Sequence, residues 1–431
     1  MTDSKKMNTG LSGEKIKGFA LSNSVLLLFV VICTIGVIFS GQTFNYIFGQ
    51  VMQRFFRNIV LVLSLLVPVW CGMGLNFSIV VGAMSAQAGL IFSLNFFVPS
   101  IWGVFTAMLG GMVLAAGLGF LTGRLFNRTK GQEMITGMIL GFFANGVYQM
   151  VFMYLCGSVI PMKNEAIMLS EIGVNGIITF DGTYAGVLDN LWKLPADKAF
   201  AVMAAIIILW RVIRMVMMKK RGIRTSKKEL IGLGILAVAA IVIFLLGTFN
   251  EAVKFVCVFN QIPMITALIA VLICAFISFL ATTKLGSDIR AVGQSMPIAR
   301  AAGINVNRTR IVSIMISTVI AAIGQVIYLQ SLGTMSTYSA ADQIGTFSVA
   351  ALLVGGASIR KANIRQAIVG TLLFHLMFVL APIAGKNIFG EAQIGEYFRV
   401  FVSYAVIAVA LALHAWSSLV TEHRKKRGQV S

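Results

Sequence analysis

Charge is scarce in this chain: 12% of its 431 residues are Asp, Glu, Lys or Arg, and only 15 are acidic. With 58% apolar residues and a mean hydropathy of +0.89, that scarcity excludes a string of soluble domains. Backbone polar groups inside hydrocarbon must be satisfied internally, so the class that remains is an all-α, polytopic transmembrane helix bundle. Cysteine is scarce too. Cys33, Cys71, Cys156, Cys257 and Cys274 form no CxxC pair, which excludes a disulfide framework and a metal knuckle. Cys156 and Cys257 fall near outer edges, which leaves a bridge between those two open. Histidine is limited to His375, His414 and His423, with no HxxxH pair and no adjoining carboxylate cluster, against a membrane-embedded enzyme.

What is abundant is apolar sequence in long runs. A helix needs about 20 apolar residues to cross the hydrocarbon. Splitting the chain at its charge clusters puts spans near 24–40, 58–74, 75–94, 101–122, 134–155, 199–217, 230–249, 262–281, 311–331, 345–358, 366–384 and 397–416. This is a bundle of about 10–12 spans, some short or Gly-rich enough to be broken or re-entrant. Lys5, Lys6, Lys15 and Lys17 precede the run Val25–Phe39 as in a secretory signal, but membrane segments follow, so the run reads as an uncleaved first helix. The division expected is a cytoplasmic tail at 1–23, one membrane domain at 24–418 and a basic cytoplasmic tail at 419–431.

The formal net charge of +20 comes from short basic clusters between spans, not from one face or run, so nucleic acid is not the implied partner. With the N-terminus inside, the clusters at 124–130, 211–228, 284–310, 360–365 and 424–427 all fall on the inner side. Only Arg54, Arg57, Lys163, Lys193, Lys198, Lys254, Lys386 and Arg399 fall outside. This asymmetry predicts that both termini are cytoplasmic.

Two connections are too long to be turns. The outer one, 157–198, carries Glu165, Glu171, Asp181, Asp189 and Asp197 among turn residues, and is either a functional surface or a solvated cap. The inner one, 282–310, holds its own short helix: Ser295 as N-cap, Pro297 in the first turn, Ala299–Ala302 with high propensity, and Gly303 to end it. Its apolar face, Met296, Ile298, Ala302 and Ile304, flanked by Arg290, Arg300 and Arg308, suits docking into a groove on another protein. Rest on anionic lipid is the alternative.

No Asp or Glu lies mid-span; Asp342 falls in an outer loop, and Glu229 and Glu251 lie at span ends. Ion-coupled carriers need an intramembrane carboxylate for the driving ion, so the pattern favours an externally powered machine over a self-sufficient carrier or channel. His375 reads as a buried structural histidine rather than a proton relay. Each half offers a Gly-interrupted segment, at 72–89 and 345–362, and paired broken helices point to a translocation path. The polar residues there and on nearby spans become path candidates: Asn76, Ser78, Ser85, Gln87, Asn145, Gln149, Gln325 and Ser348. Amides and hydroxyls suit a neutral polyhydroxy or heterocyclic solute. Close helix packing by small residues is the alternative reading for each. The 31 Phe and 22 Met are explained by lipid contact and core filling, so neither names the solute.

Three stretches carry a resemblance: GSDIRAVGQSMPIARAAGINVNRTR with the following ALLVGGASIRKANIRQAIVGTLL, GMGLNFSIVVGAMSAQAGLIFSL, and NRTKGQEMITGMILGFFANGVY. Together they resemble the membrane subunits of ATP-binding-cassette importers, in the family that includes ribose, nucleoside and branched-chain amino acid permeases. The resemblance implies a non-catalytic permease of a bacterial cytoplasmic (inner) membrane that pairs with a second permease, identical or related. Two cytoplasmic nucleotide-binding subunits, or one fused pair, would use ATP and Mg, and an extracytoplasmic binding protein would deliver the solute. It also implies that Ser295, Met296, Pro297, Ile298, Ala299, Arg300, Ala301, Ala302, Gly303 and Ile304 form the coupling helix. No GxxxxGK[ST] loop occurs in this chain, so ATP is expected on the partners, with no cofactor bound here.

Overall fold

A computed structural model describes residues 24–96, 100–220 and 227–428. The expected tail at 1–23, part of the basic inner loop at 221–226 and the last residues 429–431 lie outside them. The elements are α1 Ser24–Ser40, α2 Phe44–Ser64, α3 Leu66–Trp70, α4 Ile79–Phe96, α5 Ile101–Arg128 and α6 Glu133–Met150. Next come β1 Ile177–Thr179, α7 Val187–Leu191, β2 Lys193–Pro195, α8 Ala196–Lys220, α9 Lys227–Phe249, α10 Glu251–Phe259, β3 Gln261–Pro263 and α11 Met264–Leu280. The chain closes with α12 Lys284–Gln294, α13 Met296–Ala301, α14 Val306–Leu332, β4 Thr334–Ser336, α15 Asp342–Val354, α16 Ile364–Phe389 and α17 Ala392–Gly428.

Every apolar stretch read from the sequence overlaps one of these helices, because apolar runs of this length can satisfy their backbone only by coiling. Among the described residues, seven helices are long and apolar enough to cross a membrane, or eight if the pair α11 and α12, bent by 73°, counts as one broken span. The coarse reading, a multi-pass helical bundle, therefore stands. The higher count of crossings does not follow from length and composition, since α1 and the 13-residue α15 are short apolar helices.

The core is built around α14, which packs along α4 and α5 and against α2. Hydrophobic association is weak between helices in lipid, so close approach and small hydrogen bonds take over. Thr318 Oγ1 donates across to Ala115 O at 3.0 Å, and Ser313 Oγ to Val67 O at 3.1 Å. The hairpin α8–α9 stands at the periphery, with α9 almost wholly exposed.

The long connection after α6 is ordered. Its β1 pairs antiparallel with β4, and β2 with β3, so both two-stranded sheets lie at the end of the bundle where α14 finishes. Tyr338 Oη donates to Val174 O at 2.6 Å, and Thr337 Oγ1 to Asn175 O at 2.5 Å. Tyr184 plugs the floor of the connection: it is fully buried and its hydroxyl lies 2.8 Å from Ser93 Oγ. The connection is thus a layer strapped to the end of the bundle, with much of its outer side exposed. The Cys156–Cys257 bridge does not form: all five cysteines are free, and these two sit in separate packed clusters, one under the connection and one between α8 and α11.

Truncating Tyr184 to Ala removes a large fully buried ring, an effect of roughly 3–5 kcal/mol for aromatic deletions, and opens the layer locally. Trypsin applied to purified protein should then cut at Lys163 at least about tenfold faster than in the wild type, a change well within that energy. An unchanged cleavage rate would show that Tyr184 does not hold the connection down.

Candidate solute path and coupling surface

At the end of the bundle opposite the sheets, α12 and α13 form the connection read as a coupling loop. Ser295 is extended and its hydroxyl accepts from Ile298 N at 3.5 Å; Pro297 sits in the first turn; Gly303, at φ +80°, follows the last. The cap and stop signals thus fall where expected, and a longer helix, α12, precedes α13 within the same connection. The docking face is divided differently. Ala299 is 2% exposed and seats α13 among Val67, Cys71, Phe126 and Val292, with Met296 and Ile304 packed on the same side. Ile298, 71% exposed, faces away with Pro297, Arg300, Ala301, Ala302 and Gly303. A helix of six residues is too short for its sequence period to settle which side is buried.

This seat reaches the membrane segments through two tight contacts. A Cβ on Gly293 would lie 2.1 Å from Trp70 O, so α12 meets the break after α3 backbone to backbone. Trp70 Nε1 in turn donates to Ala362 O at 2.8 Å, joining that break to the one between α15 and α16. Both Gly-interrupted segments and the loop therefore meet at one place.

The second contact is a buried ion pair absent from the sequence reading. Arg310, at 0% exposure, holds Glu133 Oε1 at 2.6 Å through Nη2, which also donates to Phe126 O at 2.9 Å. Its Nε donates to Asn127 Oδ1 at 3.0 Å and its Nη1 faces Met296 Sδ at 3.7 Å. Glu133 Oε2 accepts from Gly131 N at 2.9 Å. The end of α5, the start of α6 and α13 are thus tied to α14. The signal available in sequence was a lone acid opening a membrane helix, opposite an arginine just inside another.

The path candidates separate into three groups. Asn76 and Ser78 are buried: Asn76 Nδ2 donates to Ser317 Oγ at 3.2 Å and its Oδ1 accepts from Ser78 N at 3.1 Å, fastening the first break to α14. Ser85 bonds Val81 O in its own helix at 2.8 Å. Gln87 Nε2 and both polar atoms of Gln325 are buried with no partner among the described residues. Asn145 and Ser348 line cavities, and Gln149 bonds Asn145. Gln149 Nε2 donates to Asn145 Oδ1 at 3.3 Å, and Asn145 Nδ2 to Asp342 Oδ1 at 2.9 Å, beside a cavity of about 480 Å³ between α6, α15 and α17. Asp342 lies at the sheet end, and burial pushes its carboxyl above the usual range. Elsewhere little of α6 is buried, and Ile139 and Phe143 are exposed.

Ser348 lines a second cavity, of about 370 Å³, below β4 and between α2, α14, α15, α16 and α17. Arg54, Arg57, Asn58, Tyr328, Gln343, Phe347, His375, Phe378 and Arg399 share its wall. Gln343 also lines the first cavity, so the two adjoin. Arg54, Arg57 and Arg399, read as falling outside, line the cavity under β4 at the sheet end, but the span expected from residue 58 starts earlier. They belong to α2 and α17, because α2 begins at Phe44 rather than near residue 58, and its charged turns face this cavity instead of lipid. Glu133, Asp197 and Asp342 each stand in the first turn of a helix, so Asp342 belongs to α15 rather than to an outer loop. Among the described residues no group of His, Cys, Asp or Glu could hold a metal.

Residues 220–411 match a family described as the permease component of the branched-chain amino acid transport system. Over 155 residues the chain is 30% identical to the nucleoside ABC transporter permease protein NupC of Lactococcus lactis, covering 36% of this chain and 46% of that one. It is 29% identical over 179 residues to NupB of the same organism, covering 39% and 46%. Against the probable ABC transporter permease protein YphD of Escherichia coli it is 29% identical over 153 residues, covering 36% and 44%. The matched region spans somewhat under half the length of these relatives. No solved structure matches. These findings bear out the family resemblance read in the sequence, to membrane subunits of ATP-binding-cassette importers of the ribose, nucleoside and branched-chain amino acid group.

Removing one member of a buried ion pair leaves the other unpaired at a cost of roughly 3–5 kcal/mol, whereas an apolar replacement of both is often neutral. Arg310→Met should therefore lower the midpoint of thermal aggregation in detergent sharply, and Arg310→Met with Glu133→Leu should recover most of it. A double variant no better than the single one would contradict the pairing.

Proposed function

We propose that the chain is the permease subunit of an ATP-driven importer that carries a small polar solute, a sugar or nucleoside, across the bacterial inner membrane. In this reading a second permease packs on the exposed flank of α6, two cytoplasmic ATPases or one fused pair grip α13, and an extracytoplasmic binding protein delivers solute to the sheet end. ATP and Mg are used by the partners, and this chain carries no catalysis. The observation that supports it most is the division of α13: a buried seat at Ala299, fixed to both broken segments, under an exposed apolar edge at Ile298. An edge that binds a partner must be free, and one that transmits force must stand on rigid contacts. The names of the relatives favour nucleosides, and the family description favours branched-chain amino acids as the second reading.

With the loop carrying α13 inside, the strapped layer and both cavities face outward. Solute would enter beneath β4 and pass between the cavities at Gln343. Asn145, Gln149 and Ser348 then act as path residues. Asn76 and Ser78 hold the first break in shape, while Ser85, Gln87 and Gln325 remain within the bundle alongside it.

The test uses the assembled transporter with its genomic-neighbour ATPases. Ile298→Asp puts a charge on the exposed edge and should cut solute-stimulated ATP hydrolysis at least about tenfold, a loss equivalent to one desolvated contact, with the permease still folded and monodisperse. Ala299→Asp buries the charge and should instead impair folding. Undiminished stimulation in a well-folded Ile298→Asp transporter would refute the docking role.

A further inference from the structure

The cavity under β4 has a one-sided chemistry that the import reading alone does not explain. Three guanidinium groups, those of Arg54, Arg57 and Arg399, line its wall, and no carboxylate does. An arginine side chain offers donors only and stays protonated. Glu396 pairs with Arg399 from the neighbouring turn, but Arg54 and Arg57 make no ion pair among the described residues. Arg57 Nε and Arg399 Nε are buried without a partner, as is Nδ1 of His375, which is itself 7% exposed and lines the same cavity.

Two carboxylates act on these groups from outside the lining: Glu396 pairs with Arg399, and Asp189 attracts Arg57 without forming an ion pair with it. Asn58 Nδ2 donates to Arg54 O at 2.8 Å and Ser336 and Ser339 bond each other at 2.6 Å, so the acceptors on the wall are neutral amide and hydroxyl oxygens. Arg54 and Arg57 stand three residues apart on one helix, where like charges repel. The guanidinium of Arg57 lies 5.2 Å from the ring centre of Tyr328 and that of Arg399 lies 4.6 Å from that of Phe378, so flat apolar faces stand beside the charges.

We infer that this cavity takes a solute bearing an acidic group, a carboxylate or a phosphate ester, next to a ring or other flat body. The inference rests on the import reading and narrows its solute. Acid oxygens accept two donors at once from an arginine fork, supplying the charged acceptor that the wall lacks. The ring has a place against Tyr328 and Phe347. A volume of about 370 Å³ admits a solute of nucleotide or sugar-acid size, within the range of roughly 300–1,000 Å³ usual for small-molecule sites. The amide and hydroxyl candidates alone suggested a neutral solute; the arginines that helix α2 brings in change that balance.

The experiment compares matched probes on the purified full-length chain in phosphatidylcholine nanodiscs: uridine against uridine 5′-monophosphate, and glucose against glucuronate, by titration calorimetry. In at least one pair the acid should bind about tenfold more tightly, the scale of one charge-assisted contact. Arg57→Gln should erase that preference and Arg57→Lys should keep part of it, with both variants monodisperse. Equal affinities, preference for the neutral member, or no acid binding up to about 10 mM would each overturn the inference. So would a preference that survives Arg57→Gln. If phosphatidylglycerol in the nanodisc abolishes the preference, the anion is a lipid headgroup and the solute assignment fails. ATP-driven uptake of a neutral solute by the assembled transporter, uninhibited by the acids, would leave the import reading standing and sink this inference alone.

Discussion

The approach of Gly293 to Trp70 and Gly72 is the contact on which the rest of the molecule turns. Two stretches of backbone meet there with no room for a side chain, so the loop outside the membrane and the break inside it are one body. Trp70 extends that body to the second break through Ala362, and Arg310 extends it to the start of α6 through Glu133. A push on the exposed edge of α13 has little to deform before it reaches the helices around the cavities. Without these contacts α13 would be a loosely held surface turn, and its cap and stop residues would explain only its own local shape.

Much of the bundle was readable because the membrane leaves so few options. Apolar runs of membrane length became helices, and the cap at Ser295 with the stop at Gly303 marked α13 to within a residue or two. Local rules settle such features. The sidedness of α13 was not readable, since six residues give one and a half turns and both Ile298 and Ala299 are apolar. Nor was the start of α2, because cutting spans at charges assumes that arginines stay outside. Arg54 and Arg57 can stay in the helix because they face a cavity, which only the tertiary arrangement of α14, β4 and α16 creates.

The path residues show the same division. Asn145 and Gln149, four apart on an exposed helix, could be grouped from sequence, but their partner Asp342 comes from another element 197 residues away. Asn76 and Ser78 carry the same polar groups yet are spent on each other and on Ser317. Residue type marks a polar position in a membrane helix as costly and therefore purposeful. Whether the purpose is to hold the fold or to meet solute depends on which neighbour uses the hydrogen bond.

The central claim is that this chain has no drive of its own and moves only when partners grip α13. The direct measurement places the purified chain alone in liposomes, imposes proton and sodium gradients in turn, and follows labelled uridine, uridine 5′-monophosphate, glucose and glucuronate inside. The account predicts no accumulation above the outside concentration under either gradient, and accumulation once the ATPases and ATP are supplied. Gradient-driven concentration of solute by the chain alone would contradict it.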